Sequence, residues 1–316
     1  MYLGVDVGGT SFKAGLVDEG LRMIDTETCE AAKDAADYGA YLAQSMAGLC
    51  RRLLDRNAAW DKVSCVGAGI PGFVDPEDGM ILFTPNLPLE NVPICELFAG
   101  AFPLPLYIGN DANCAALGEY HAGCGGGARS MLMYTLGTGV GTGFIVDGRI
   151  YTGWNGAAAE AGHMLLVIDG RQCGCGRRGC LEAYASASAL VRDARTAMEL
   201  EPESLLWQAS GGSLGNVDGK TILDAVHLGD RTAVGLWRSY LHYLAEGILS
   251  GINAFQPELV CIGGGIGNAS EEDLLRPLQR AVEGRSLARG SRKQPRLVKA
   301  RLGNEAGIIG AALLGK

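Results

Sequence analysis

Four short apolar runs of this 316-residue chain end in clusters of glycine. They read VDVGGT, VGAGIPG, YTLGTGVGTG and VCIGGGIG. Apolar runs of this length are typical of buried strands, and a glycine cluster after a strand indicates a turn whose backbone approaches another group closely. Between these runs, residues 36–56, 182–199 and 232–254 have apolar side chains three and four positions apart, which predicts helices. Strands that alternate with helices predict an α/β fold.

Two segments of the chain resemble each other. Residues 3–18 align without a gap on residues 132–147, with Gly8 over Gly137, and both segments read as strand, glycine turn and strand. One interpretation is that any two glycine-rich hairpins look alike. The other is that two lobes share one plan, which the length of the chain also favours.

The charge and the first residues of the chain limit its partners and its location. The net charge is −8, from 27 basic and 35 acidic residues, and it disfavours binding to nucleic acid or to anionic membranes. Met1 is followed directly by the apolar run YLGVDVG, which does not have the pattern of a secretory leader. We therefore expect a cytoplasmic protein that binds neither nucleic acid nor membrane.

Three of the ten cysteines lie close together in the run CGCGRRGC. They are Cys173, Cys175 and Cys180, and His163 is the histidine nearest to them in the sequence. In a reducing compartment such a cluster indicates metal ligands rather than disulfides. Three thiolates and one imidazole complete a tetrahedral Zn²⁺ site with no open position, which predicts a structural zinc. Free thiols or a redox pair are the alternatives.

The run DVGGTSFK has the chemistry of a phosphate-binding turn. Gly8 and Gly9 offer unhindered backbone N–H groups, Thr10 offers a hydroxyl and Lys13 offers a cation. Asp6 would repel a phosphate unless a divalent cation lay between them, so we predict a water-mediated contact with Mg²⁺. The alternative is an ordinary hairpin that needs glycine for a positive φ.

Two further glycine turns extend this prediction. The run LGTGVGTG contains Gly137, Thr138 and Gly139, which can bind a second part of a polyphosphate. In the run GGGI, Gly264 and Gly265 leave room for a flat base against the backbone. Three glycine turns that face one cleft predict binding of a nucleoside triphosphate.

Three carboxylates are candidates for the chemistry. Asp111 follows the apolar run LPLYIG at the predicted start of a helix, where it is either an N-cap or a general base that takes a proton from a substrate hydroxyl. Glu160 precedes His163 by three residues, and Glu182 follows Cys180 by two. A metal that fixes its ligands would also fix these glutamates, which would then accept hydrogen bonds from a polyol. The alternative is that both glutamates are solvated surface groups.

Together these motifs resemble the ROK family of sugar kinases and sugar-sensing repressors, most closely its glucokinase-like members. The resemblance covers nearly the whole chain and includes DVGGTSFK, PNL, NDANCAALGE, LGTGVGTG, EAGH, CGCGRRGCLE and GGGI. It implies an actin-like, ribonuclease-H-like ATPase fold with two lobes around a central cleft, usually in a homodimer. It also implies ATP, Mg²⁺ and phosphorylation of a hexose, most often glucose to glucose 6-phosphate.

The resemblance assigns roles to matching positions. Asp111 would be the catalytic base. The residues implied to hold the sugar are Asn86, Asn110, Asp111, Glu160, His163 and Glu182. The residues implied to hold the nucleotide and Mg²⁺ are Asp6, Gly8, Gly9, Thr10, Lys13, Gly137, Thr138, Gly139, Gly264 and Gly265. The expected lobes are residues 1–110, joined by a C-terminal helix at 303–316, and residues 111–302.

Two alternatives remain for the function. Glucose-preferring relatives often have an aromatic residue shortly after the Asn-Leu pair, whereas this chain continues with Pro88, Leu89 and Glu90. Allose, N-acetylmannosamine and fructose therefore remain open as substrates. The second alternative is a sugar-sensing repressor without its DNA-binding domain, because the first glycine motif begins at Asp6 and leaves no space for a helix-turn-helix. A non-catalytic sugar-binding module is disfavoured by the presence of both Lys13 and Asp111.

Overall fold

The computed structural model describes residues 1–32 and 35–316. The chain forms two compact units. The first unit comprises Met1–Met133, Gly143–Ala159 and Ala300–Lys316, and the second comprises Tyr134–Thr142 and Glu160–Lys299.

The strands, in chain order, are β1 (Tyr2–Val7), β2 (Ser11–Val17), β3 (Met23–Glu30), β4 (Val66–Ile70), β5 (Phe73–Asp75), β6 (Met80–Phe83), β7 (Glu90–Val92), β8 (Leu106–Asn110), β9 (Ser130–Leu136), β10 (Val140–Val146), β11 (Arg149–Ile150), β12 (Leu259–Gly263) and β13 (Arg296–Lys299).

The helices are α1 (Tyr38–Arg56), α2 (Ile94–Ala101), α3 (Asp111–Ala122), α4 (Glu182–Ala185), α5 (Ala187–Leu200), α6 (Leu206–Ala209), α7 (Gly219–His227), α8 (Arg231–Phe255), α9 (Gly264–Gly267), α10 (Arg276–Val282) and α11 (Glu305–Ala312). Short 3₁₀ turns lie at Ala161–His163 and Leu214–Asn216, and a π-helical turn lies at Glu271–Leu275.

The two similar segments of the sequence both form strand, glycine turn and strand, as predicted. They are the hairpins β1–β2 and β9–β10. The predicted helices at 36–56 and 232–254 correspond to α1 and α8. The predicted helix at 182–199 is instead two helices, α4 and α5. They are separated at Ser186, whose backbone is extended and whose hydroxyl accepts the N–H of Ala189 as the N-cap of α5.

A five-stranded sheet organises the first unit, in the order β3-β2-β1-β4-β8. Strands β1, β4 and β8 are parallel to one another, and β2 and β3 are antiparallel to their neighbours. On one face Leu3 and Val5 of β1 share a buried core with Leu42 and Met46 of α1. The parallel strands therefore bring the carboxyl ends of β1, β4 and β8 to one edge of the sheet.

Helix α11 packs against the other face through glycines. A Cβ atom added to Gly4 would lie 2.0 Å from the carbonyl oxygen of Ile308, and one added to Gly67 would lie 1.8 Å from that of Ala311. Only residues without a side chain allow the helix to come this close to the strands. These glycines of β1 and β4 therefore fix α11 next to the sheet edge at which β1 ends.

Helix α3 lies in the first unit, although we predicted a division between lobes at residue 110. A Cβ atom added to Gly310 of α11 would lie 1.7 Å from the carbonyl oxygen of Cys114 in α3. This close packing groups residues 111–133 with the C-terminal helix, which we expected at 303–316. The lobes expected at residues 1–110 and 111–302 remain a prediction.

Two further sheets complete the strand pairing. Strands β5, β6 and β7 form an antiparallel sheet within the first unit. The remaining sheet has the order β11-β10-β9-β12-β13, with β12 parallel to β13. Across residues 1–32 and 35–316, every helix falls short of the length and apolar content needed to cross a bilayer.

Candidate active site

The first unit brings Asp6, Lys13 and Asp111 to one end of its sheet. Asp6 of β1 is opposite Lys13 of β2 on one side and opposite Gly69 of β4 on the other. A Cβ atom added to Gly69 would lie 3.6 Å from the Cα atom of Asp111. Three predicted site residues from three separate motifs thus share one edge of the sheet.

Both carboxyl groups, Asp6 and Asp111, have a raised pKa. Burial and, to a smaller extent, the neighbouring Asp111 raise the pKa of Asp6 from 3.8 to about 6, against the opposing effect of Lys13. Burial also raises the pKa of Asp111, against hydrogen bonds from the N–H of Ala112 and the side chain of Asn110. Two partly buried carboxylates so close together are stabilised by a proton or by a cation. This edge of the sheet can therefore bind a divalent ion or accept a proton.

The side chain that caps helix α3 is Asn110, so the interpretation of Asp111 as an N-cap is wrong. Oδ1 of Asn110 accepts the N–H of Asn113 at 3.1 Å, and its Nδ2 donates to the carbonyl oxygen of Gly72 at 3.0 Å. Asp111 is the first helical residue and is not needed as a cap. Its carboxylate lies at the positive end of the helix dipole, which favours a negative charge there.

The β1–β2 turn differs in one detail from our expectation. The N–H of Gly8 donates to the carbonyl oxygen of Ser11 at 3.0 Å, so it is used within the turn. Glycine is needed there because a Cβ atom on Gly8 would lie 2.8 Å from that oxygen. A Cβ atom on Gly9 would lie 3.7 Å from the Cβ of Asn86, so the PNL motif lies next to the turn. Thr10 and Asn86 are both exposed.

In the second unit, the β9–β10 turn is anchored by backbone hydrogen bonds. The N–H of Gly137 donates to the carbonyl oxygen of Gly139 at 3.0 Å, and the carbonyl oxygen of Gly137 accepts the N–H of Ala187 at 2.8 Å. Thr138 lies between them and is exposed. The turn therefore has a fixed backbone and presents a hydroxyl to solvent.

The glycine turn after β12 runs close to the end of β9. Gly264 has a φ of +81°, and a Cβ atom there would lie 2.5 Å from the backbone nitrogen of Leu136. Both Gly264 and Gly265 are exposed. Glycine at position 264 thus permits both the left-handed backbone and the close approach of the two strand ends.

The predicted metal ligands come together in the second unit. One ligand atom from each of His163, Cys173, Cys175 and Cys180 lies within 4.8 Å of every other. Sγ of Cys173 is 3.7 Å from Nδ1 of His163, and the Sγ atoms of Cys175 and Cys180 are 3.7 Å apart. The loop is compact because Gly179 has a positive φ and packs against Val167. Four ligand-type side chains therefore surround one point.

Glu182 is in direct contact with this cluster. Its Oε1 lies 3.4 Å from Sγ of Cys173, and its Oε2 accepts the N–H of Val140 at 3.0 Å. The interpretation of Glu182 as a solvated surface group is therefore wrong. Glu160 is exposed and directly precedes the 3₁₀ turn that carries His163.

Sequence reasoning did not find one buried carboxylate. Glu119 of α3 is fully buried and accepts three backbone N–H groups, from Cys124 at 3.1 Å, Arg301 at 2.8 Å and Leu302 at 2.6 Å. It thereby ties α3 to the segment that enters α11. A glutamate on a helix is usually solvated, so its position in NDANCAALGE carried no signal for this role.

The comparisons identify the class of fold and the family. The fold is the actin-like, ribonuclease-H-like ATPase fold that we predicted, because the chain superposes on solved ROK-family structures over nearly its full length. The model of the ROK family matches residues 2–316. The chain therefore belongs to the ROK family.

Individual relatives are similar over nearly their whole length. A glucokinase from Halalkalibacterium halodurans is 35% identical over 317 residues, which is 100% of this chain and 94% of the relative. A ROK family glucokinase from Streptomyces griseus has a crystal structure in complex with glucose and AMPPNP, and its sequence is 34% identical to this chain. The two structures superpose with a TM-score of 0.83 over 98% of this chain and 97% of that one. An N-acetyl-D-glucosamine kinase from Haemophilus influenzae is 30% identical over 99% of each chain.

Proposed function

We propose that this protein is an ATP-dependent hexose kinase that transfers the γ-phosphoryl group of ATP to glucose and forms glucose 6-phosphate. The observation that carries the proposal is the pair of partly buried carboxylates, Asp6 and Asp111, beside Lys13 at the end of a glycine turn. This arrangement supports phosphoryl transfer, which needs positioning and charge stabilisation more than covalent chemistry. The ROK glucokinases that resemble the chain support the same reaction.

In this mechanism Asp111 is the general base. The sugar hydroxyl oxygen forms a bond to the γ-phosphorus, the bond from that phosphorus to the β–γ bridging oxygen breaks, and ADP leaves. The hydroxyl proton passes to the carboxylate of Asp111. Because burial raises the pKa of this carboxyl group, it holds a proton more readily than a solvated aspartate does.

We assign the nucleotide to the glycine turns. Gly8, Gly9, Thr10 and Lys13 of the first unit would contact phosphate, although the N–H of Gly8 is used within its turn. The second unit would contribute Gly137, Thr138, Gly139, Gly264 and Gly265. Asp6 would hold Mg²⁺, which when bound neutralises phosphate charge. The raised pKa of Asp6 supports this role, since a cation relieves the repulsion from Asp111.

We assign the sugar to Asn86, Asn110, Asp111, Glu160, His163 and Glu182. The carboxylates would accept hydrogen bonds from sugar hydroxyls. Some of these side chains already have partners: Asn110 caps α3, Asp111 accepts the N–H of Ala112, and Glu182 accepts the N–H of Val140. A carboxylate has two oxygens and about four acceptor sites, so Glu182 can bind a sugar hydroxyl as well.

We propose that His163, Cys173, Cys175 and Cys180 hold a structural zinc ion. In a tetrahedral site with Zn–S of about 2.3 Å and Zn–N of about 2.1 Å, two sulfurs are roughly 3.8 Å apart, and a sulfur and a nitrogen roughly 3.6 Å apart. The 3.7 Å separations in the cluster fit both values. Zinc would then fix the segment that carries Glu160 and the start of α4.

We further propose that the protein acts in the cytoplasm as a homodimer. The metal-ligand-like arrangement of the clustered cysteines supports the location, and the family resemblance supports the dimer. Sedimentation velocity at micromolar concentration tests the dimer, and a single species of monomer mass would refute it.

The function is tested by ADP release from ATP across a panel of hexoses. The panel contains glucose, allose, N-acetylmannosamine, fructose and N-acetylglucosamine, with Mg²⁺ in excess. We expect the highest kcat/KM for glucose. If the rate of ADP release with every hexose equals the rate without sugar, the proposal is wrong. If another hexose has the highest kcat/KM, the kinase activity stands and the assignment of glucose falls.

A further inference from the structure

The carboxylate of Glu182 contacts two parts of the second unit at once. Its Oε2 accepts the N–H of Val140, the first residue of β10, at 3.0 Å. A Cβ atom added to Gly139 would lie only 2.3 Å from the same oxygen. Its other oxygen lies 3.4 Å from Sγ of Cys173. The side chain therefore lies between the cysteine cluster and the β9–β10 glycine turn.

Neighbouring contacts hold the same short stretch of backbone. A Cβ atom on Gly162 would lie 1.9 Å from the carbonyl oxygen of Val140, so the Ala161–His163 turn packs directly on the start of β10. The N–H of Ala161 donates to Oγ1 of Thr142 at 2.9 Å. The start of β10 is thus enclosed by the two segments that carry the proposed sugar ligands.

Among these contacts, the hydrogen bond from the N–H of Val140 is the one that a carboxylate, that of Glu182, accepts. Hydrogen bonds to a carboxylate are about twice as strong as those between neutral groups. If the carboxylate is removed, the N–H of Val140 loses this partner and the turn at residues 137–139 loses a restraint on its position. A change at position 182 therefore alters the glycine turn as well as the sugar ligands.

We propose that Glu182 is a positioning residue for the β9–β10 glycine turn, so that this one carboxylate couples the sugar site to the phosphate site. The inference rests on the proposed function, in which Glu182 holds the sugar and residues 137–139 hold phosphate. Coupling between two ligand sites is reciprocal. Because Glu182 also contacts the turn, a change at residue 182 should weaken nucleotide binding without sugar, and a change at Gly139 that displaces this carboxylate should weaken sugar binding without nucleotide.

The first arm measures nucleotide binding alone. Isothermal titration calorimetry with Mg²⁺–AMPPNP, in the absence of sugar, compares Glu182→Ala and Glu182→Gln with the wild type. We expect about tenfold weaker binding for Glu182→Ala, as for the loss of one charged hydrogen bond. Glu182→Gln keeps an oxygen that can accept the N–H of Val140, so we expect it to stay within about threefold of the wild type. Glu203→Ala, at an exposed position in the same unit, is the matched control.

The second arm measures sugar binding alone. The Cβ atom of Gly139→Ala would displace the carboxylate of Glu182, so we expect about tenfold weaker glucose binding without nucleotide. Gly235→Ala is the matched control, because nothing lies within 4 Å of a Cβ atom at that helical position. In the double variant Glu182→Ala/Gly139→Ala, the losses in nucleotide affinity should be less than additive.

The outcomes separate this inference from the proposed function. The coupling is refuted if Glu182→Ala binds AMPPNP with an affinity within about twofold of the wild type, or if Gly139→Ala does so with glucose. Neither result bears on whether the wild type is a hexose kinase. A wild type that releases no ADP with any hexose refutes the proposed function instead. If Glu182→Ala is not recovered as folded protein, the glucose affinity of Gly139→Ala decides.

Discussion

The substitution Asp6→Asn should stabilise the protein in magnesium-free buffer, by an amount that grows as the pH rises from about 4 to about 6. Burial and the neighbouring Asp111 raise the pKa of Asp6 from 3.8 to about 6. Since the pKa is higher in the folded state, the folded protein binds the proton more tightly than the unfolded chain. The free energy of unfolding of the wild type therefore falls as the pH rises from about 4 through about 6, and then levels off.

The magnitude follows from the shift in pKa. A shift of one pKa unit corresponds to about 1.4 kcal/mol. Ionisation of Asp6 therefore lowers the free energy of unfolding by up to about 3 kcal/mol. Asparagine has nearly the same shape and no charge, and its introduction also removes the repulsion that Asp111 feels. Asp6→Asn should thus exceed the wild type in free energy of unfolding by about 1 kcal/mol near about pH 4.5 and by up to about 3 kcal/mol near about pH 7.5.

Urea unfolding at these two pH values, without magnesium or nucleotide, measures the difference. Asp61→Asn is the control, because Asp61 is exposed and distant in sequence from every proposed ligand. If Asp6→Asn is less stable than the wild type near about pH 7.5, or if its advantage is the same at both values, the reasoning is refuted. The variant should also lose turnover, because Asp6 is the residue proposed to hold Mg²⁺.

Four further substitutions test other parts of the structure. Asp111→Asn should bind glucose with nearly unchanged affinity and lose kcat by about a hundredfold or more, measured by ADP release. Cys175→Ser should lose zinc, measured by elemental analysis, together with glucose affinity, and full affinity without zinc would contradict the positioning role. Glu119→Gln should lower the free energy of unfolding by about 1–3 kcal/mol, because a carboxylate that accepts three buried N–H groups is replaced. Ala159 has a φ of +63°, which glycine adopts without strain. Ala159→Gly should therefore leave the free energy of unfolding unchanged or raise it by up to about 1 kcal/mol, measured by thermal unfolding.

Much of the fold follows from local sequence patterns. The glycine runs predicted the two hairpins, and apolar periodicity predicted α1 and α8, because both signals depend only on neighbouring residues. The break between α4 and α5 at Ser186 was missed. A single serine within an apolar pattern does not reveal that it will cap a new helix.

The candidate site was predictable to the extent that its residues lie in motifs. The spacing of Cys173, Cys175 and Cys180 predicted their cluster with His163, since a short glycine-rich loop leaves few other arrangements. The contact between Glu182 and the glycine turn was not predictable. It depends on the tertiary packing of segments about forty residues apart, which no local pattern records.

The burial of Asp6 illustrates the same limit. Its position before two glycines predicted a role near phosphate, whereas its raised pKa arises from the packing of β1, α3 and α11 around it. A Cβ atom on Gly307 of α11 would lie 3.2 Å from an oxygen of this carboxylate. The helix that encloses Asp6 is about three hundred residues away in the sequence.

Single-turnover transfer of radiolabel from γ-³²P-ATP tests the central claim most directly. Enzyme in excess over labelled ATP is mixed with glucose and Mg²⁺, and the products are separated. We predict that the label appears on glucose with the wild-type protein and stays on ATP with Asp111→Asn. Label that reaches only inorganic phosphate with the wild type, or that reaches glucose at an unchanged rate with the variant, would contradict the assignment of Asp111 as the base of a hexose kinase.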